Sequence, residues 1–145
     1  MKKTVFVVDD SISNLTMAAD ALNPHYAVMT INSGERCLKL LEKVKPDIIL
    51  LDIEMPEMDG FGVLRLLKGN KAYRDIPVIF LTARTDYPTE VRALRHGVVD
   101  FIGKPFNPAV LLNRINHHIS IDGLVRERTK QLHSARQDVI FVPFA

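Results

Sequence analysis

Four residues far apart in the chain are of types that do chemistry. Asp9 and Asp10 close the apolar run TVFVV, Asp52 closes DIILL, and Lys104 stands before Pro105 after the short run VVDFI. Carboxylates at the carboxyl end of an apolar strand add nothing to its packing, because a charge there must be solvated or bound to a cation. If TVFVV and DIILL are neighbouring parallel strands, three carboxylates converge on one sheet edge. Such hard oxygens suit Mg²⁺, and Asp52 stays free to act as a nucleophile.

The elements that must position these groups alternate between strand-like and helix-like patterns. Residues 4–9 read as a strand, and Asp10 or Ser11 can cap a helix carrying Ile12, Leu15, Ala18, Ala19 and Leu22 at helical spacing. Asn23-Pro24 ends it. YAVMTI is a second strand, Ser33 can cap the helix GERCLKLLEKV, and Pro46 closes that helix. DIILL is apolar on both faces, as in a parallel sheet covered by helices on each side. After the loop MPEMDG comes a helix from Gly60 to Lys68, and Pro77 opens a fourth strand, PVIFLT. A helix around 88–96 ends at Gly97, a residue suited to the position after a helix. The fifth strand, VVDFI, precedes the Lys104-Pro105 turn, and Asn107-Pro108 starts the last helix.

Five βα units predict a doubly wound α/β domain with right-handed connections. With the strand order 2-1-3-4-5, strands 1 and 3 flank the switch point where such folds bind ligands. Asp9, Asp10 and Asp52 then fall together. Topology and chemistry agree.

Size and charge narrow the function classes. The 145 residues, 47% of them hydrophobic, suffice for one full core but hardly two. A net charge of +2 is no argument for nucleic acid without a clustered basic face. No run approaches the roughly 18 apolar residues of a membrane span. The basic opening MKK is followed by an apolar run that two aspartates stop, too short for the roughly 7–15 residues of a signal peptide core. A cytoplasmic protein is expected. The single cysteine, Cys37, reads as a small core or boundary residue. Gly60 and Gly62 read as turn and close-packing glycines. The adjacent His117 and His118 make a poor metal pair, and His25, His96 and His133 read as surface residues.

Residues 120–145 differ from the rest. Ile121, Val125, Leu132, Ala135, Val139 and Val142 follow spacings of four and three if Arg128 fills the missing place. That is coiled-coil spacing, weakened by Gly123 and Arg128, so a plain solvated helix stands beside it. The expected organisation is a domain over 1–119 and a linker or coiled-coil helix over 120–145, cut before an output domain.

The motifs VFVVDDS, LLDIEMPEMDG, IFLTA and DFIGKPF occur in this order, with 30 residues from Asp52 to Thr82 and 22 more to Lys104. Together they resemble the receiver domain of two-component response regulators, from residue 4 to about 119. The resemblance implies a flavodoxin-like receiver fold with a C-terminal helical extension. It implies that Asp52 accepts a phosphoryl group from a sensor histidine kinase or phosphotransfer protein. Asp10 would hold Mg²⁺ directly, Asp9 through water, and the Glu54 backbone carbonyl would complete the protein ligands. Lys104 would pair with a phosphoryl oxygen, the Thr82 hydroxyl would move to bond another, and Phe101 would turn inward as the switch residue. Glu54 and Arg84 would tune the lifetime of the phosphoryl group. Such a chain is a regulator, catalysing only its own phosphoryl transfer and dephosphorylation.

Two other chemistries share parts of this pattern. A haloacid dehalogenase-type phosphatase needs Asp-x-Asp after its first strand, where this chain has an adjacent pair. A flavodoxin-like FMN carrier needs a first loop of Ser, Thr and Gly for phosphate, where this chain has the acidic DDSISN. The segment LVRERTKQLHSARQDVIF resembles the helix joining receivers to HD-GYP phosphodiesterase domains, or less closely to GGDEF cyclases. Neither an HD nor a GYP motif lies in these residues, and no helix-turn-helix follows residue 119. The expected partners are therefore the phosphodonor, an output domain or downstream protein, and a second copy of the chain.

Overall fold

A computed structural model of the protein describes residues 2–83 and 86–135, with side chains described through residue 121. Five strands, β1 (Thr4–Val8), β2 (Ala27–Ile31), β3 (Ile48–Asp52), β4 (Val78–Thr82) and β5 (Asp100–Gly103), alternate with five helices. These are α1 (Ile12–Leu22), α2 (Gly34–Leu41), α3 (Gly60–Lys68), α4 (Tyr87–Arg95) and α5 (Pro108–Ala135). All pairings are parallel and the order is β2-β1-β3-β4-β5, the order expected of the doubly wound domain.

Alternation along the strands divides the core in two. Phe6 and Val8, Ile49 and Leu51, and Val78 and Phe80 pack with Cys37 and Leu41 of α2, Leu64 and Leu67 of α3, and Ala93 of α4. Val5 and Val7, Ile48 and Leu50, and Ile79 and Leu81 pack with Leu15, Ala18 and Leu22 of α1 and with Leu111 and Ile115 of α5. β1, β3 and β4 are the inner strands, so both of their faces are covered and their sequences read as unbroken apolar runs. A fully buried side chain of this size is worth about 1.5–3 kcal/mol. Eight of the largest buried ones lie on these three strands.

Each helix from α1 to α4 begins on a side chain that accepts a backbone N–H two or three positions into the first turn. Ser11 caps α1, Ser33 caps α2, Asp59 caps α3 and Asp86 caps α4. Ser11, and not Asp10, is thus the cap of α1. Ile12 does not join the buried stripe of α1 but is 78% exposed, because it precedes the inward face set by Leu15, Ala18 and Leu22. The second helix stops at Leu41, three residues and less than one turn short of filling the predicted segment. Lys43 and Val44 both donate to the Leu40 carbonyl as the chain unwinds toward Pro46. β5 starts at Asp100, two residues later than the apolar run suggests, since Val99 makes a single bond to Val78 O before the ladder begins. Gly97, with φ +98°, takes the left-handed conformation that ends α4.

α5 runs unbroken across residues 119 and 120 to Ala135. The helix therefore shows no structural break at the expected domain boundary. Most of the proposed seam, from Val125 to Val142, lies outside the described side chains.

Gly60 stands where the chain turns from β3 into α3. A Cβ there would lie 2.6 Å from Asp52 O and 2.8 Å from the Ile53 Cα, both backbone atoms that cannot swing aside. We expect Gly60→Ala to cost about 1–3 kcal/mol, as overpacking does. Gly69→Ala, whose Cβ would make only ordinary van der Waals contact, 3.4 Å from Arg65 O, at φ −82°, should stay within about 0.5 kcal/mol of the parent. Urea denaturation of the two variants measures both.

Candidate functional site

Parallel strands end at one edge, and the β1, β3 and β5 ends bring the sequence-predicted carboxylates and lysine together there. Asp9 follows β1, its N–H donating to Ile31 O at 3.0 Å, and is fully buried. Asp52 ends β3 and is 2% exposed. Asp10, next to Asp9, turns outward and is exposed. One carboxylate oxygen from each of the three lies within 4.8 Å of the others.

Lys104 reaches back from the turn after β5 to the β1 and β3 ends. Its Nζ lies 2.9 Å from Asp52 Oδ1 and 3.1 Å from Asp9 Oδ2. The Lys104–Pro105 peptide is cis, and Lys104 N–H donates to Thr82 O at 2.8 Å. Burial by itself would lower the ammonium's pKa. The hydrogen bonds to Asp52 and Asp9 outweigh it and hold Lys104 above the ordinary lysine range.

Asp52 shows the opposite balance. Burial is the largest influence and raises its pKa, the Asp9 carboxylate adds to the rise, and the Lys104 contacts reduce it without cancelling it. The carboxyl is left at about 6. Its Oδ1 takes Lys104 and the Glu54 N–H at 3.3 Å, whereas Oδ2 is buried with no hydrogen-bond partner. An orphaned carboxylate oxygen is costly unless something binds it. Three carboxylates face one ammonium here, so a cation is the chemically fitting occupant.

The other predicted residues fall around this centre. Thr82 is buried at the end of β4, its Cα paired with that of Gly103. It shares the face of Val78 and Phe80, and the half-buried Phe101 packs into the same core cluster. Thr82 and Phe101 thus point toward the α3 and α4 side. Asp9, Asp52 and Lys104 follow the alternation of the α1 and α5 side. Glu54 is exposed and lines a cleft between the β3–α3 loop and α4, together with Met55, Asp59, Thr89 and Arg92. The Arg92 guanidinium stands 3.8 Å from the centre of the Phe61 ring, fastening α4 to α3. Arg84 lies outside the described residues.

Sequence reasoning missed two donors to Asp9. Ser11 N–H donates to Oδ1 at 2.9 Å and the Asn14 amide to Oδ2 at 3.2 Å. A polar residue in the first turn after an acidic pair was the available signal. It also missed a cluster on β5 and α5, where Asp100 accepts two bonds from Arg114 and one contact from His118. Burial pushes the Asp100 carboxyl up, but Arg114, His118 and the Phe101 N–H together bring it below the usual range. Cys37 is fully buried and its thiol is pushed up to about 12, so it is a packing residue. Among the described residues, no helix is long and apolar enough to cross a membrane.

The chain is similar in sequence and fold to known proteins. Residues 5–116 match the family model of the response regulator receiver domain. A Vibrio cholerae protein named "Probable cyclic di-GMP phosphodiesterase" is 35% identical over 116 residues, 80% of this chain and 26% of its own length. Response regulator PleD of Caulobacter vibrioides is 34% identical over 142 residues, 97% of this chain and 31% of its own. The chain therefore spans less than a third of either relative. Among solved structures, the V. cholerae chemotaxis protein CheY4 superposes with a TM-score of 0.77 at 30% identity, covering 81% of this chain and 98% of that one.

The raised Asp52 carboxyl has a consequence for stability without metal. A group whose folded pKa lies above its unfolded value stabilises fully below the unfolded value, and that contribution is lost as pH rises through the folded one. For Asp52 the loss spans the range from about 4 to about 6. In EDTA at pH 7.5, Asp52→Asn should melt above the parent, and the difference should shrink as pH falls toward 4. Thermal melts across that range measure it.

Proposed function

Because the chain belongs to the response regulator receiver domain family, the phosphoacceptor switches of two-component systems, we propose that Asp52 is its phosphoacceptor. One observation carries this: the buried Asp52 carboxylate has Lys104 on one oxygen and nothing on the other, beside two further carboxylates. An Asp52 oxygen attacks the phosphorus of a phosphohistidine, the P–N bond breaks, and the imidazole leaves with its electron pair and takes up a proton. Asp52 becomes an acyl phosphate.

The chain's own groups support each part of that transfer. Asp9, Asp10 and Asp52, with the Glu54 carbonyl, would hold Mg²⁺, which when bound supplies positive charge to the transferring oxygens. The Lys104 ammonium lies within reach of Asp52 and neutralises an equatorial oxygen. Thr82, at the end of the adjacent strand, supplies a hydroxyl to another. The acyl phosphate carries about −1.5 to −2 charges where the single charge of a carboxylate stood. Thr82 and Phe101 share the α4 side of the sheet, so a movement of Thr82 opens space on the side where Phe101 packs. This relay would carry the change to the surface of α4 and β5. Exposed Glu54 would tune how water reaches the phosphorus, with Arg84 as its partner.

The unbroken α5 supports a linker role for the residues beyond 119, joining the receiver to an output unit. A cyclic-di-GMP phosphodiesterase is the output we favour, because a relative so named is 35% identical over 116 residues of this chain. The donor would be a sensor histidine kinase or a phosphotransfer protein. Pairing of two copies through α5 would transmit the signal as a rotation.

Acetyl phosphate with Mg²⁺ should label the protein with an acid-stable, base-labile phosphoryl group, detected as a mass increase. Asp52→Asn should carry no label; full labelling of that variant would overturn the assignment. Millimolar Mg²⁺ should also raise the melting temperature, since a ligand at 100 Kd adds about 2.7 kcal/mol. Asp10→Ala should remove most of that rise in a calorimetric scan.

A further inference from the structure

Asn14 is the site residue that no motif singles out. It sits half-buried in the first turn of α1, and its Nδ2 donates to Asp9 Oδ2 over 3.2 Å. A carboxylate oxygen only accepts, so the amide must present its NH₂ side there. The Asn14 backbone N–H is held in turn by Ser11 Oγ at 3.3 Å, which sets the direction of the turn. Lys104 Nζ reaches the same Asp9 oxygen at 3.1 Å, while the other Asp9 oxygen belongs to the Ser11 N–H.

The two donors on Oδ2 differ in what happens to them. When Lys104 turns to a phosphoryl oxygen, Asp9 keeps its charge in full burial and loses its cationic partner. A buried carboxylate short of donors is costly and less firmly oriented. The Asn14 amide, anchored on α1 and not on the β5 turn, stays where it is. It is also uncharged, so it holds Asp9 without repelling a cation as a lysine or arginine there would.

We propose that Asn14 is a positioning residue that holds the Asp9 carboxylate toward Mg²⁺ independently of Lys104. The proposal rests on the reading of Asp9 as part of the metal site. Its effect must appear in metal affinity and pass through Asp9. It must also grow when Lys104 is absent.

Calorimetric titration of MgCl₂ into the full chain tests this, alongside acetyl phosphate labelling at a series of Mg²⁺ concentrations. Asn14→Leu, similar in size but without a donor, should weaken Mg²⁺ about tenfold. The Mg²⁺ needed for half-maximal labelling should rise by the same factor, with the rate at saturating Mg²⁺ within about twofold of the parent. The loss should be larger in a Lys104→Ala background and absent in an Asp9→Asn background. If leucine disturbs the turn, Asn14→Ala repeats the measurement in a residue that helices accept readily. Unchanged Mg²⁺ affinity, or an equal loss when Asp9 is already Asn14's mute partner in Asp9→Asn, would overturn the proposal. If Asp9→Asn itself binds Mg²⁺ as well as the parent, the reading of the metal site fails, and the proposal falls with it.

Discussion

Negative charge gathered at the end of a buried sheet must be balanced from within the fold, and Lys104 does this. Its ammonium is shared between Asp9 and Asp52, both almost wholly removed from water. Deleting the ammonium of a buried pair leaves its carboxylates unpaired and costs about 3–5 kcal/mol, whereas exposed pairs are worth about 0–1 kcal/mol. The exposed Glu35–Lys39 pair on α2 belongs to the second kind. The contact that ties the β5 turn to the β1 and β3 ends is thus of a different order from the surface ion pairs. It also leaves the balance incomplete: two more carboxylate charges than ammonium charges stay at the edge.

That incompleteness separates a site from a mere structural pair. A fully satisfied cluster would be inert, while Asp52 Oδ2 is buried without a partner and its carboxyl is raised to about 6. The rest of the fold tolerates this because its stability is invested elsewhere. The apolar strands β1, β3 and β4 are covered on both faces, and all five helices start on a side chain that accepts a first-turn N–H. A rigid frame holds a locally unfavourable charge arrangement, and that arrangement is what a cation and a phosphoryl group would relieve.

The two faces of the sheet also divide the labour. Asp9, Asp52 and Lys104 follow the alternation of the α1 and α5 side, and Thr82 and Phe101 that of the α3 and α4 side. On the latter, Phe61 meets Phe80 edge-on at 5.0 Å and carries Arg92 over its ring, so α4 is fastened through an aromatic contact next to Phe101's cluster. On the former, Asp100 on β5 ties down Arg114 and His118 of α5. A charge change at the strand ends therefore lies between two helices that are held by quite different forces.

The sequence by itself determined the order and type of the elements, and with them the convergence of Asp9, Asp10, Asp52 and Lys104. Strands buried on both faces write continuous apolar runs, and parallel topology places their carboxyl ends together, so residue type and position were enough. Local signals were weaker where neighbours decide. Ile12 fits a helical stripe but has no inward neighbour, the start of β5 depends on when its ladder to β4 can form, and α5 continues through residue 120 with no sequence mark. Only the tertiary structure decided that Asp9 is buried while Asp10 is exposed, that Lys104 bridges two strands, and that Asn14 shares an oxygen with it. These are distances of about 3 Å between groups up to 95 residues apart. No periodicity encodes such distances, because they depend on how separate elements pack and not on the chain between them.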